Sequence, residues 1–69
     1  MIATDKLRGR MAEMGYTQSK LASELGIHPQ TFYNKMKKGI FTSTEIETMM
    51  GILDIKDPRS IFFPNSVAH

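Results

Sequence analysis

Gln18 and the stretch from Gln30 to Lys38 hold the side chains best suited to specific polar recognition. The amides of Gln30 and Asn34 each offer an acceptor and two donors. That combination matches the N7 acceptor and N6 donor of an adenine edge. Asn34 stands one helical turn beyond Gln30, so one helix face would carry both. Thr31 brings a methyl for a thymine methyl, or a hydroxyl for a phosphate. Tyr33 brings a ring to stack on a sugar and a phenol to bond a phosphate, and the ammonium groups of Lys37 and Lys38 suit phosphates. Gln18 falls where a second helix would begin, where unpaired backbone N–H groups gather and attract anions. A solvated polar helix face would have a similar composition, and the charge alone does not separate the two readings.

Residues for covalent or metal chemistry are scarce. There is no cysteine, and of the two histidines one is His69. Zinc needs a cluster of ligands that this chain does not supply. No base or nucleophile is paired with His28, which reads instead as a helix cap. The expectation is a non-enzyme with no catalytic residue, metal or cofactor. The six methionines recur at helical spacings and read as adaptable core.

Sixty-nine residues allow one domain. A domain of this size buries only about 60% of the surface its unfolded chain exposes. Stability then has to come from close helix packing or from dimerisation. No apolar run approaches the roughly 20 residues of a membrane span. The first residues lack the apolar core of a signal peptide. A cytoplasmic location in a reducing compartment is expected. The net charge of +2 is unevenly placed: residues 1–40 hold seven cations against three anions, and residues 41–69 hold two against four. A basic N-terminal part favours a polyanionic partner.

The elements that must position these groups are helices. Residues 1–3 read as frayed, with Thr4 or Asp5 as the cap of a first helix. Leu7, Met11 and Met14 form its apolar face. Gly9 would permit close approach of another helix, and Gly15 ends the segment. Thr17 caps a second helix over about residues 18–25, with Leu21, Ala22 and Leu25 inward. Gly26 makes a turn, His28 caps a third helix, and Pro29 takes its first position, where a missing N–H costs nothing. That helix runs to about Lys38, turns Phe32 and Met36 inward and ends at Gly39. Thr42 to Glu45 fits a capping box, and Phe41 with Ile46 fits a hydrophobic staple. Ile46, Met49, Met50 and Leu53 face inward on the fourth helix. Asp57-Pro58 opens a last turn to about Phe62, and Pro64 stops it.

Thr17-Gln18, Leu21-Ala22, Gly26-Ile27 and Thr31-Phe32 keep the spacing T-Q-x-x-L-A-x-x-x-G-[IV]-x-x-x-T-[apolar]. This resembles the lambda-repressor-like (Cro/C1, xenobiotic-response-element type) helix-turn-helix family, over about residues 4–62. The segments K-M-K-K-G, F-T-x-x-E-I and D-P-x-x-I-F-F are similar to small phage-encoded regulators of Gram-positive hosts. The resemblance implies an all-α helix-turn-helix bundle of four helices plus a C-terminal helical turn. That domain would span residues 1–64, followed by a loose tail at 65–69. It also implies a transcriptional regulator in a bacterial host cell that binds a double-stranded DNA operator as a homodimer. Gln18, Gln30, Thr31, Tyr33, Asn34, Lys37 and Lys38 would form the DNA face.

Two features depart from the family pattern. His28 and Pro29 replace polar residues at the start of the third helix. The segment from Phe32 to Gly39 is one residue longer than in many repressors, which leaves the aim of Lys35 open. Ile61 and Phe62 either close the core or join Phe63 and Val67 in an apolar surface for a partner. The modest net charge and Pro29 keep a second functional alternative open, an antirepressor or repressor modulator that contacts another phage regulator.

Overall fold

Helix signals recur along the chain at intervals of about a dozen residues, and the structure, a computed structural model describing residues 2–63, places a helix at each. The helices are α1 (Thr4–Glu13), α2 (Gln18–Leu25), α3 (Pro29–Lys38), α4 (Ser43–Ile52) and the short α5 (Pro58–Phe62). Among the described residues there is no strand. The all-α architecture of four helices and a C-terminal turn is thus as expected. Pro64, Val67 and the 65–69 tail lie outside the described residues.

Each helix of the central pair starts on a side-chain cap. The Thr17 hydroxyl accepts from the Lys20 N–H at 3.1 Å. His28 Nδ1 accepts from the Gln30 N–H at 3.1 Å, with Pro29 next in line. Such a cap contributes about 1 kcal/mol. α2 stops where Gly26 adopts φ 72°. The Ile27 N–H then bonds the Ala22 carbonyl at 3.0 Å, and the Gly26 N–H bonds the Ser23 carbonyl at 3.1 Å. This is a Schellman close. A Cβ at position 26 would meet nothing within 4 Å, so backbone conformation rather than space requires the glycine. α4 starts on a full capping box: the Glu45 N–H donates to the Thr42 hydroxyl at 3.2 Å, and the Thr42 N–H donates to Glu45 Oε1 at 2.8 Å.

The core joins Leu7 and Met11 of α1, Leu21 and Ala22 of α2, Phe32 and Met36 of α3, Met49 of α4 and Ile61 and Phe62 of α5. Phe41, between α3 and α4, lays its ring 5.5 Å from that of Phe32 at 52°, a tilted contact favoured by aromatic quadrupoles. Leu25, Ile27, Ile46 and Met50 are only half-buried at the edge of this core. Ile61 and Phe62 close it, and Phe63 stays 47% exposed.

The N-terminal segment differs from expectation. Ile2 is buried and its N–H donates to the Gly39 carbonyl at 3.0 Å, while the Ala3 N–H donates to the Ile61 carbonyl at 2.7 Å. Residues 2 and 3 are thus a strap between the ends of α3 and α5, not a frayed start. That strap makes Ala3 the N-cap without a side-chain bond, and Thr4 and Asp5 enter the helix instead of capping it. Met14 is exposed because α1 ends at Glu13 and the chain is already turning. Gly9 has nothing within 4 Å of a built Cβ, so no helix approaches it.

A further tie runs from α1 to the end of α4. Arg10 donates Nε to the Leu53 carbonyl at 2.7 Å and Nη2 to the Asp54 carbonyl at 3.0 Å. A cation there complements the helix dipole. The same end closes like α2, with Ile55 N–H on the Met50 carbonyl, yet the residue at φ 48° is Asp54 rather than glycine. An aspartate pays a steric cost in that region. Its ion pair with Lys56 joins two well-exposed side chains and offsets little. Asp54→Gly keeps the carbonyl that Arg10 uses. It should stabilise the protein by about 0.5–1 kcal/mol, net of the entropy glycine adds to the unfolded chain. A urea melt that showed no gain would contradict the strain.

Candidate nucleic-acid interface

α3 divides cleanly into two sides. Phe32 and Met36 are at most 2% exposed. With 3.6 residues per turn, their burial leaves Gln30, Thr31, Tyr33, Asn34, Lys37 and Lys38 in solvent. Gln30 Nε2 donates to Asn34 Oδ1 at 3.2 Å, so the two amides form a linked pair along the helix. The Gln30 carbonyl and the Asn34 amino group remain for an outside partner.

Thr31, Asn34, Lys35 and Lys38 follow the i, i+3, i+4, i+7 rule and form one wall of an open groove of about 420 Å³, which Ile40 closes. Ile40 had no place in the sequence-based site, yet it is 64% exposed. Its position follows from the close of α3. The Ile40 N–H bonds the Lys35 carbonyl, and the Gly39 N–H bonds the Met36 carbonyl, each at 3.2 Å. In this motif the residue after the glycine ordinarily packs on an apolar residue a turn back. Here the turn below carries Lys35 and Asn34. An apolar residue after a glycine cap with polar residues at those offsets was the available signal.

Lys35, whose aim was open, turns toward α4 and places Nζ 3.0 Å from Glu45 Oε1. The two side chains are 26% and 12% exposed. Lys37 and Lys38 form no ion pair with a described residue. Gln18 is half-buried at the first position of α2. Near it Lys20 holds its ammonium 5.0 Å from the centre of the Tyr16 ring, a cation–π contact. Among the described residues no group of His, Cys, Asp or Glu side chains gathers as metal ligands would. Nor is any helix among them long and apolar enough to cross a membrane.

Residues 8–39 match the family model described as bacterial regulatory protein, Fis family, a helix-turn-helix model. No curated protein and no solved structure matches the chain. The α2–α3 pair is a helix-turn-helix of the DNA-binding regulator kind. The match covers less than half of the chain, from the middle of α1 to the glycine that ends α3. It agrees with the sequence resemblance on the motif and differs from it in the family named.

Glu45 links this helix-turn-helix to the rest of the fold. Burial raises its pKa, but the Thr42 N–H, the Lys35 ammonium and the Thr42 hydroxyl together outweigh that and hold it below the ordinary 4.5. A carboxylate with a depressed folded pKa contributes stability above its unfolded value, and loses it as pH falls through the folded one. Glu45→Gln keeps an acceptor but removes the charge. The variant should melt below the wild type at pH 7, and the gap should narrow as pH drops below 4.5. A gap unchanged down to about pH 3 would mean that the charge contributes nothing.

Proposed function

We propose that the protein is a lambda-repressor-like, Cro/C1-type regulator of transcription, phage or prophage encoded, that acts in the cytoplasm of its bacterial host. In this reading α3 enters the major groove of a double-stranded operator. The observation that carries it is the division of α3: two apolar residues anchored in the core, and an exposed row of amides, a phenol and lysines. The match over residues 8–39 supports the motif, and the T-Q-to-T-F spacing from Thr17 to Phe32 supports the narrower family. Gln30 and Asn34 read base edges, and Thr31 and Tyr33 contact bases or backbone beside them. Gln18, Lys37 and Lys38 hold phosphates. One recognition helix reads only a few base pairs, so a homodimer on half-sites about one helical turn apart completes the site.

Fluorescence anisotropy with the promoter DNA next to the gene, taken over a salt series, checks this. Affinity should fall with salt at a log–log slope of about −0.9 per neutralised phosphate, and Lys37→Ala should reduce the slope by about that amount. No binding at low salt, or a flat salt response, would overturn the reading.

A second reading has an observation of its own. Phe63 is exposed on the rim of a cleft of about 260 Å³, lined also by Ile2, Gly39, Phe41, Ile46 and Phe62, and by Ile40, which borders this cleft as well as the groove beside α3. In this reading the cleft is an apolar surface for a partner and suits an antirepressor or repressor modulator bound to another phage regulator; Val67, the other residue expected there, lies outside the described residues. If that reading holds, Phe63→Ser abolishes regulation in cells while Gln30→Ala and Lys37→Ala leave it intact. The DNA-binding reading expects the reverse.

A further inference from the structure

We infer that the groove between α3 and Ile40 receives the major-groove edge of one A·T pair, with Ile40 seated on the thymine methyl while Asn34 bonds the adenine. This rests on the DNA-binding reading and names what one part of that surface recognises. Three observations carry it. Asn34 and Ile40 line the same groove of about 420 Å³. Ile40 is 64% exposed, because the turn it would cover carries polar residues. The remaining wall bears Lys38, which forms no ion pair with a described residue, and Lys35, whose ammonium is already held by Glu45, so the uncompensated charge of the groove is positive and a polyanion is the complementary occupant.

The chemistry of the pair fits that arrangement. Across the major groove an A·T pair presents adenine N7 and N6, then thymine O4 and the C5 methyl, in series. An amide that bonds the adenine edge therefore leaves an apolar methyl farther along the same pair. Ile40 is the apolar residue beside the Asn34 amide in this groove. The oxygen of that amide accepts one bond from Gln30 and keeps a second lone pair for the adenine N6 amino group, and its own amino group can donate to N7. Thr31, on the same wall, carries the only other methyl-bearing side chain in the groove and serves as the control.

The test starts with selection of bound sequences from a randomised duplex pool with the full-length protein. Each thymine of the selected site is then replaced singly by uracil, which removes the C5 methyl and nothing else. For the wild type, one replacement should weaken binding about fourfold, the effect of one buried carbon group. That thymine should pair with an adenine whose preference is lost in an Asn34→Ala selection. Ile40→Ala should bind the unmodified site about fourfold more weakly and be indifferent to uracil at that position, whereas Ile40→Val should retain sensitivity. Thermal melts by circular dichroism should show both variants folded, since Ile40 is 64% exposed and outside the buried core. Full uracil sensitivity in Ile40→Ala would overturn the inference, as would its loss in Thr31→Ser instead. So would a uniform loss of affinity in Ile40→Ala accompanied by loss of a dimer in sedimentation. Those results leave DNA binding intact. Failure of the wild type to select any sequence sinks the DNA-binding reading itself.

Discussion

The burial of Phe32 is the constraint on which the rest of the molecule depends. Its ring is fully enclosed and meets Phe41, and α3 packs on α2 around it. A helix has one rotational setting that puts Phe32 and Met36 inward together. That setting alone decides that Gln30, Tyr33, Asn34 and Lys37 point out. Burying two such side chains contributes roughly 1.5–3 kcal/mol each. That is a large share of what a domain this small has in hand. The polar row is thus held outward by the energetics of the opposite face.

Rotation is only part of what a recognition element needs, and the far end of α3 is fastened as well. The Gly39 carbonyl accepts from Ile2, Lys35 reaches across to Glu45, and the Schellman bonds close the last turn. Glu45 simultaneously caps α4. The start of α4 and the end of α3 therefore share one carboxylate. Through this shared group, a displacement of α4 would be felt directly at the lysine end of the exposed face. Sites held by such supporting contacts keep their geometry better than sites left on loops.

What could be seen in the sequence was whatever lies within about one helical turn. The Thr17 cap, the His28-Pro29 start and the Thr42–Glu45 box each involve residues at most three apart, and all three stand in the structure. The outward row of α3 followed from periodicity, as did the spacing that links Gln30 to Asn34. What escaped was non-local. Arg10 bonds a carbonyl 43 residues away. The strap of Ile2 and Ala3 joins Gly39 and Ile61, which no local rule brings together. The aim of Lys35 was open, and only the tertiary position of Glu45 decides it. Ile40 escaped for a related reason: the close of α3 was foreseen, but whether the next residue finds an apolar neighbour depends on how that turn sits in space.

Pro29 gives the exposed face its electrostatic polarity. A helix start usually draws anions because its first N–H groups are free. In α3 the proline has no N–H, Gln30 donates to His28 Nδ1, and Phe32 donates to the His28 carbonyl at 3.0 Å. Little donor capacity is left there for a phosphate. Lys35, Lys37 and Lys38 all sit in the last turn. Positive charge is thus concentrated at one end of the helix and hydrogen-bonding amides nearer the other. In the proposed reading, a polyanion meeting this surface would be held by the lysine end, and the amide end would be left to discriminate. In that reading the start of α2, where Gln18 stands and the Thr17 hydroxyl engages only the Lys20 N–H, would supply the helix-start contact that α3 has given up.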